Sequence, residues 1–285
     1  MILDAHTHIR MKAEPVPEGQ LALLEGYKGA FEGALDHYGA KEDLLRGMRD
    51  HGISKALLLP VATSTDIEEA ARLNNFMAAM QDGSRLYAFA SVNPVTADAV
   101  EEIERAVKEL RLRGLKLHPN LQRFRLSENR FWMLLESIKD LRIPIIIHSG
   151  YSLGMKESFF DPKEADDVVS SFPDLTFIFA HMARNEKESD FPTVQLEGNV
   201  LYETSLAPTK VIEAVIETFG ADRIVYGSDF QYNLYPRQEL EKVMALQLSA
   251  AEKEGILGEN MAKVLGLSTP KKEKGFLDKI PFFRP

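Results

Sequence analysis

The sequence predicts an α/β protein whose strands close into a (β/α)8 TIM barrel, with an insertion after the first strand and a C-terminal extension. Three observations predict it. Eight short apolar runs rich in β-branched residues recur along the 285 residues. Segments of helical periodicity fill most of the gaps between them. Five of the seven histidines fall at or near the C-terminal ends of those runs. The length suits one barrel domain of roughly 250 residues plus insertions, so 1–285 reads as a single domain.

The strands are expected near 2–8, 54–59, 86–92, 114–118, 144–148, 176–181, 200–203 and 223–227. Their continuous apolar character suits a parallel sheet buried on both faces. Helices are expected near 43–51, 97–112, 129–141, 208–219 and 237–254. Val100, Ile103, Val107 and Leu110 recur at helical spacing, with Glu101, Glu102 and Lys108 on the other side. Val211, Ile212, Val215, Ile216 and Phe219 do the same before Gly220, a C-terminal stop. An open doubly wound sheet would carry a glycine-rich nucleotide loop after its first strand, and none follows here. The insertion, 9–39, opens with Pro15 and Pro17. A lid over the catalytic face and packing at the rim or a subunit contact both remain open for it. The extension, 268–285, carries Phe276, Leu277, Ile280, Phe282 and Phe283, apolar content that suits docking on the barrel or on a second subunit of a homodimer.

Composition removes several classes of function. There is no cysteine, which excludes disulfides, thiolate nucleophiles and cysteine-held metals. Lys and Arg number 34 against 43 Asp and Glu, a formal charge of −9 without a basic stripe, so nucleic acid is not an expected partner. Lys271, Lys272 and Lys274, interrupted by Glu273, read as a solvated tail. No run approaches the roughly 20 apolar residues that span a bilayer. The first residues lack the basic-then-apolar pattern of a secretory signal, so the expected location is cytoplasmic, away from membranes.

His6-Thr7-His8 is the sharpest local pattern. Residues two apart on a strand share a face, so both imidazoles can enter the barrel mouth and bind one cation. Asp229 ends the eighth strand, which barrel closure sets beside the first. His148 ends the fifth and can reach in from the opposite wall. Three imidazoles and a carboxylate can leave a coordination position for water, with Asp229 as general base. His181 ends the sixth strand and reads as a further ligand or as a group that polarises the substrate, against the plainer reading of a core histidine bonded to backbone. Lys116 and His118 share parity on the fourth strand. Lys116 suits a carboxylated bridge between two metals, a substrate carboxylate, or a salt bridge inside the barrel. Arg123, Arg125 and Arg184 lie in loops where they could clamp an anion, although a solvated arginine is the commoner case.

The chain resembles the amidohydrolase superfamily, in its amidohydrolase-2 branch related to aminocarboxymuconate semialdehyde decarboxylase. The resemblance rests on LDAHTHI, GLKLHPN, IPIIIHSG, FAHMA, NVLYETS, IVYGSDF and GENMAKVLGL, in that order from residue 3 to 267. It implies one divalent metal ion, Zn2+ first and Mn2+ second, held by His6, His8, His148 and Asp229. It gives His181 the task of assisting the reacting group, and an uncarboxylated Lys116. The chain departs from the family at Ala183 and Arg184, at Glu203 where aspartate is frequent, and at Phe230-Gln231-Tyr232.

The first expectation is therefore a metal-dependent hydrolase of a small amide, lactone or ester. The alternative is a metal-dependent, non-oxidative decarboxylase of a small aromatic or unsaturated carboxylic acid. In both, the partner is a small molecule, expected to bear a carboxylate. A third reading, a non-catalytic barrel, leaves the convergence of four ligand residues without a reason.

Overall fold

The computed structural model describes residues 1–10, 40–150, 158–184, 198–230, 236–268, 277 and 280. Eight strands are present: β1 (Leu3–Thr7), β2 (Lys55–Leu58), β3 (Leu86–Ala88), β4 (Leu115–Leu117), β5 (Ile145–Ile147), β6 (Phe177–Phe179), β7 (Val200–Glu203) and β8 (Ile224–Val225). Each is a trimmed form or match of an expected run, because the chain leaves the ladder before its apolar run ends. β1-β2-β3 form one parallel ladder and β4 through β8 another.

Two seams join the ladders. At the first, Ala90 bridges Leu115; Ala90 N–H donates to Gly114 O and Lys116 N–H to Ala90 O, both at 2.8 Å. At the second, Thr7 bridges Phe230, Ala5 N–H reaches Tyr226 O at 2.9 Å, and Asp229 N–H reaches His6 O at 2.8 Å. The last strand is thereby set against the first.

Apolar side chains form two layers. Leu3, Ala5, Leu57, Leu59, Tyr87, Phe89, Ile146, Ile178, Leu201 and Val225 make one cluster. Their strand neighbours Ala56, Leu58, Ala88, Leu115, Leu117, Ile145, Ile147, Phe177, Phe179 and Ile224 pack instead with helix residues such as Ile103, Leu135, Val168 and Ile212. The alternation assigns the first cluster to the barrel interior and the second to the sheet–helix interface. The interior is a packed core that leaves the strand ends as the place for chemistry.

Helices Lys41–Asp50, Ala99–Lys108, Asn129–Ile138 and Thr209–Phe219 lie where periodicity placed them. Ile67–Met80 and Pro162–Ser171 add to these; Asp66 and Asp161 cap them by accepting from Glu68 N–H and Lys163 N–H. The single helix expected over 237–254 is two, Pro236–Ala245 and Ala250–Glu254. Ser249 and Glu252 form a capping box that starts the second one afresh. Residues 11–39, which carry nearly all of the insertion, lie outside the described residues. Of the extension, Ile280 is buried in the sheet–helix core and Leu277 packs partly against it, so the tail touches the barrel there. No helix among the described residues is long and apolar enough to cross a membrane.

The two layers make a stability prediction. Ile178 is fully buried in the interior, whereas Met133 is 69% exposed on its helix. Ile178→Ala should cost about 2–5 kcal/mol in urea denaturation and Met133→Ala within about 0.5 kcal/mol. Equal effects at the two positions would contradict the layer assignment.

Candidate metal centre

β1 alternates through Leu3, Asp4 and Ala5 and then breaks step, because His6 has the parity of Asp4 yet meets Asp229 at the mouth. Asp4 faces a small cavity shared with Leu44 and Met48 of helix Lys41–Asp50, whereas Ala5 belongs to the barrel interior. The register against β2 shifts between Asp4 and Thr7. This irregularity re-aims the strand, as bulges do next to sites, and brings His6 and His8 to the mouth together. Asp4 fixes it from behind. Its carboxylate accepts Ser228 Oγ–H at 2.6 Å, Ser228 N–H at 3.0 Å and His6 N–H at 3.1 Å. Burial pushes the Asp4 carboxyl up to about 7 against the pull of those bonds.

At the mouth, His8 Nε2 lies 3.0 Å and His6 Nε2 3.5 Å from Asp229 Oδ1. The opposite nitrogens are held by acceptors. His8 Nδ1 meets Leu59 O at 2.7 Å, and His6 Nδ1 meets Glu203 Oε2 at 2.8 Å. A carbonyl or carboxylate only accepts, so each Nδ1 carries the hydrogen and each Nε2 turns a lone pair toward the carboxylate. Burial keeps His6 neutral, with the Lys116 charge acting in the same direction. Asp229 is buried too, which raises its carboxyl; charged His6 and His8 rings would pull it below the usual carboxylate range, and with the rings neutral that positive charge has to come from a cation. Its backbone is left-handed, φ 56°, a conformation kept in place by the bond of its N–H to His6 O.

The remaining histidines form a second group. His181, also left-handed at φ 55°, approaches Ser205 O at 3.1 Å and Ser205 Oγ at 2.9 Å through Nδ1, and His148 Nδ1 at 3.2 Å through Nε2. His148 stacks on His118, centroids 3.7 Å apart. His118 caps helix Pro119–Gln122 through Nδ1, which accepts Leu121 N–H at 3.3 Å. Lys116 is fully buried with Nζ 3.4 Å from His6 Nε2. Burial lowers its ammonium to about 8 against the opposing charges of Asp229 and Glu203.

The expected residues are thus not all brought to one point. His6, His8 and Asp229 are mutual neighbours whose donor atoms lie within 4.8 Å of one another; His148 stands with His181 and His118 instead. Arg123 is exposed, Arg125 lies over the Phe159 ring, and Arg184 donates to Leu206 O at 3.2 Å. Of the two histidines read as surface or packing residues, His51 bonds Gly47 O at 2.8 Å, and His37 lies outside the described residues. Sequence reasoning assigned no task to Glu203, which accepts from His6, Ser205 and the His181 N–H, nor to Ser205 or Asp4. Their signal was present: Glu203 is a carboxylate at the end of a strand, as Asp229 is.

The donor set fits a divalent cation. Two imidazole lone pairs and an ionised carboxylate converge where, by themselves, they repel one another; a cation between them removes the conflict. Each ligand ring is backed by an acceptor on its far nitrogen, the arrangement that fixes ring orientation in metal sites.

Comparison with known proteins follows the same lines. The family described as amidohydrolase matches residues 3–267. No curated protein matches the chain. Among solved structures, 5-carboxyvanillate decarboxylase of Novosphingobium aromaticivorans, with bound manganese and 3-methoxy-4-hydroxy-5-nitrobenzoic acid, aligns with a TM-score of 0.71 at 19% identity, over 94% of this chain and 97% of that one. Dihydroxybenzoic acid decarboxylase of Polaromonas, with manganese and 2-nitroresorcinol, aligns at 0.68 and 19% over 94% and 98%. 5-Carboxyvanillate decarboxylase of Sphingomonas paucimobilis aligns at 0.69 and 17% over 94% and 99%. These likenesses carry the barrel fold. They also correct the expectation of a hydrolase acting on an amide, lactone or ester, since these structural relatives are decarboxylases. The physical reason is that both reactions use one metal-binding mouth, so ligand motifs do not separate them.

Gly227 sits where β7, β8 and β1 meet. A Cβ there would lie 2.2 Å from Glu203 Oε1 and 2.8 Å from His6 Cβ. Gly227→Ala should therefore displace the pair and lower stability by about 1–3 kcal/mol in urea denaturation; wild-type stability would contradict this packing.

Proposed function

Because the chain belongs to the amidohydrolase family, we propose that it is a metal-dependent, non-oxidative decarboxylase of a small aromatic or unsaturated carboxylic acid. The observation that carries this reading is the convergence of His6 Nε2 and His8 Nε2 on Asp229, in a barrel similar to those of decarboxylases. His6, His8 and Asp229 would hold the ion; His148, expected as a fourth ligand, lies outside that group, against His118 and His181. Manganese in the similar structures favours Mn2+ over the Zn2+ expected first. Bound there, the cation supplies Lewis-acid chemistry, polarising the oxygens of the acid.

The protein's own residues do the rest. The reaction converts R–COOH to R–H and carbon dioxide. The bond between the carboxyl carbon and its neighbour breaks, the electron pair stays on that neighbour, and a proton must reach it. Asp229, ionised beside the cation, would take the proton released as the acid binds and return it to the carbon. Lys116, on the floor beside His6, favours an anionic substrate. His118 and Arg184 would serve as further contacts for it.

Manganese-loaded protein should contain about one equivalent of metal per chain and release carbon dioxide from members of a hydroxybenzoate and unsaturated-acid panel. Chelation should abolish the release, and His6→Ala and Asp229→Asn should lower it at least about 100-fold while the chain stays folded. Carbon dioxide release that survives chelation, or in Asp229→Asn, would contradict the assignment.

A further inference from the structure

The seam between β3 and β4 changes character as it reaches the strand ends. Its first bonds are regular: Ala90 N–H donates to Gly114 O and Lys116 N–H to Ala90 O, both at 2.8 Å. In a parallel ladder the next two bonds would join Val92 N–H to Lys116 O and His118 N–H to Val92 O. Side chains occupy both places instead. Ser91 Oγ–H donates to Lys116 O at 2.9 Å. His118 N–H donates to Gln122 Oε1 at 2.7 Å, and Gln122 Nε2 donates to Val92 O at 2.8 Å. The Gln122 amide thus stands between two backbone groups that a continued ladder would have joined directly. It satisfies both, as burial requires, while holding β3 and β4 apart by the span of one amide. Gln122 Nε2 also donates to Ala62 O at 2.8 Å, and Ala62 N–H reaches Ser91 Oγ at 3.1 Å. The chain after β2 is therefore tied to both inserted groups. The far edge of β4 keeps its ladder, with His148 N–H on Leu117 O at 3.0 Å.

We propose that Gln122 is a positioning residue whose amide, inserted between β3 and β4, sets where Lys116 and His118 stand for the carboxylate of the substrate. The insertion falls between these two residues: Lys116 O takes the Ser91 bond and His118 N–H the Gln122 bond. Gln122 holds His118 twice, because its own N–H donates to His118 O at 2.9 Å. Gln122 is buried, and its amide oxygen and both amide hydrogens are in use within the protein. A residue that only filled space here could be apolar; the backbone groups it meets require an amide. The donor atoms of His6, His8 and Asp229 belong to the other seam, which has its own clasp of Asp4 and Ser228. One seam would then place the cation and the other the contacts for the anion. The inference rests on the reading of Lys116 and His118 as substrate contacts, and the test below separates the two.

The first readout is calorimetric titration of the full chain, with Mn2+ and then with benzoate on the manganese-loaded protein. Gln122→Met keeps the length of the side chain and removes the amide. The folded variant should bind Mn2+ within about threefold of wild type and benzoate about 10–100-fold more weakly, as a small misplacement of contacts can produce. Unchanged benzoate affinity would overturn the proposal, and so would an equal loss for Mn2+ and benzoate, which marks a general loss of order. Ser91→Ala, which takes the hydroxyl from Lys116 O and Ala62 N–H, should move the two affinities in the same way. It decides where Gln122→Met does not fold. The second readout, amide hydrogen exchange of the metal-free chain, needs neither metal nor acid. In Gln122→Met the His118 amide should gain at least about 10-fold more in exchange rate than the Asp229 amide at the other seam. In Ser91→Ala the Ala62 amide should do the same. Equal acceleration at both seams would overturn the proposal. If the wild-type chain binds no benzoate, the reading of the substrate contacts fails, and exchange alone decides whether Gln122 sets His118.

Discussion

Everything at the mouth depends on the seam between the last strand and the first. Three backbone hydrogen bonds cross it near the site, from Ala5 to Tyr226, from Asp229 to His6 and from His8 to Phe230. Asp4 adds a buried side-chain clasp onto Ser228. The clasp is built from the residues two places before His6 and one place before Asp229, so the bonds that join the two strands also set the separation of the His6, His8 and Asp229 donor atoms. Polar groups buried in this way stay only when paired, and here the pairing is between the two chain segments that must meet.

The same economy governs the donors. A neutral imidazole offers one lone pair, and which nitrogen offers it depends on the partner of the other. Leu59 O settles the matter for His8 and Glu203 for His6. Glu203 is itself packed so closely against Gly227 and His6 that no larger residue fits at 227. The site is therefore preorganised by residues that would never touch a substrate. On the proposed reading its chemistry is general, the holding of an acid beside a cation, and the surrounding loops would decide which acid.

Much of this was legible in the sequence. Eight β-branched runs gave eight strands because strands covered on both faces have no polar side to interrupt them, and His6, His8 and Asp229 were readable because barrel closure is a fixed topological consequence of eight repeats. The helix 237–254 was misread because the apolar period continues across Ser249, where a capping box restarts the backbone. Helix Ile67–Met80 was overlooked because Asn74 and Ala70 occupy much of its buried stripe, leaving a weak apolar signal. Glu203 and Ser205 were missed because their function lies in partners distant in the chain, such as His6, 197 residues from Glu203. Hydrolysis was preferred over decarboxylation because motifs report ligands, and the ligands serve both reactions.

The central claim is that these residues hold one cation, and diffraction can locate it. Crystals grown with Mn2+ and measured at the manganese absorption edge should show one anomalous peak per chain, within about 2.0–2.3 Å of His6 Nε2, His8 Nε2 and an Asp229 carboxylate oxygen. A chain with manganese in the crystal solution but no peak there, or with its peak at Glu203 and away from Asp229, would contradict the account.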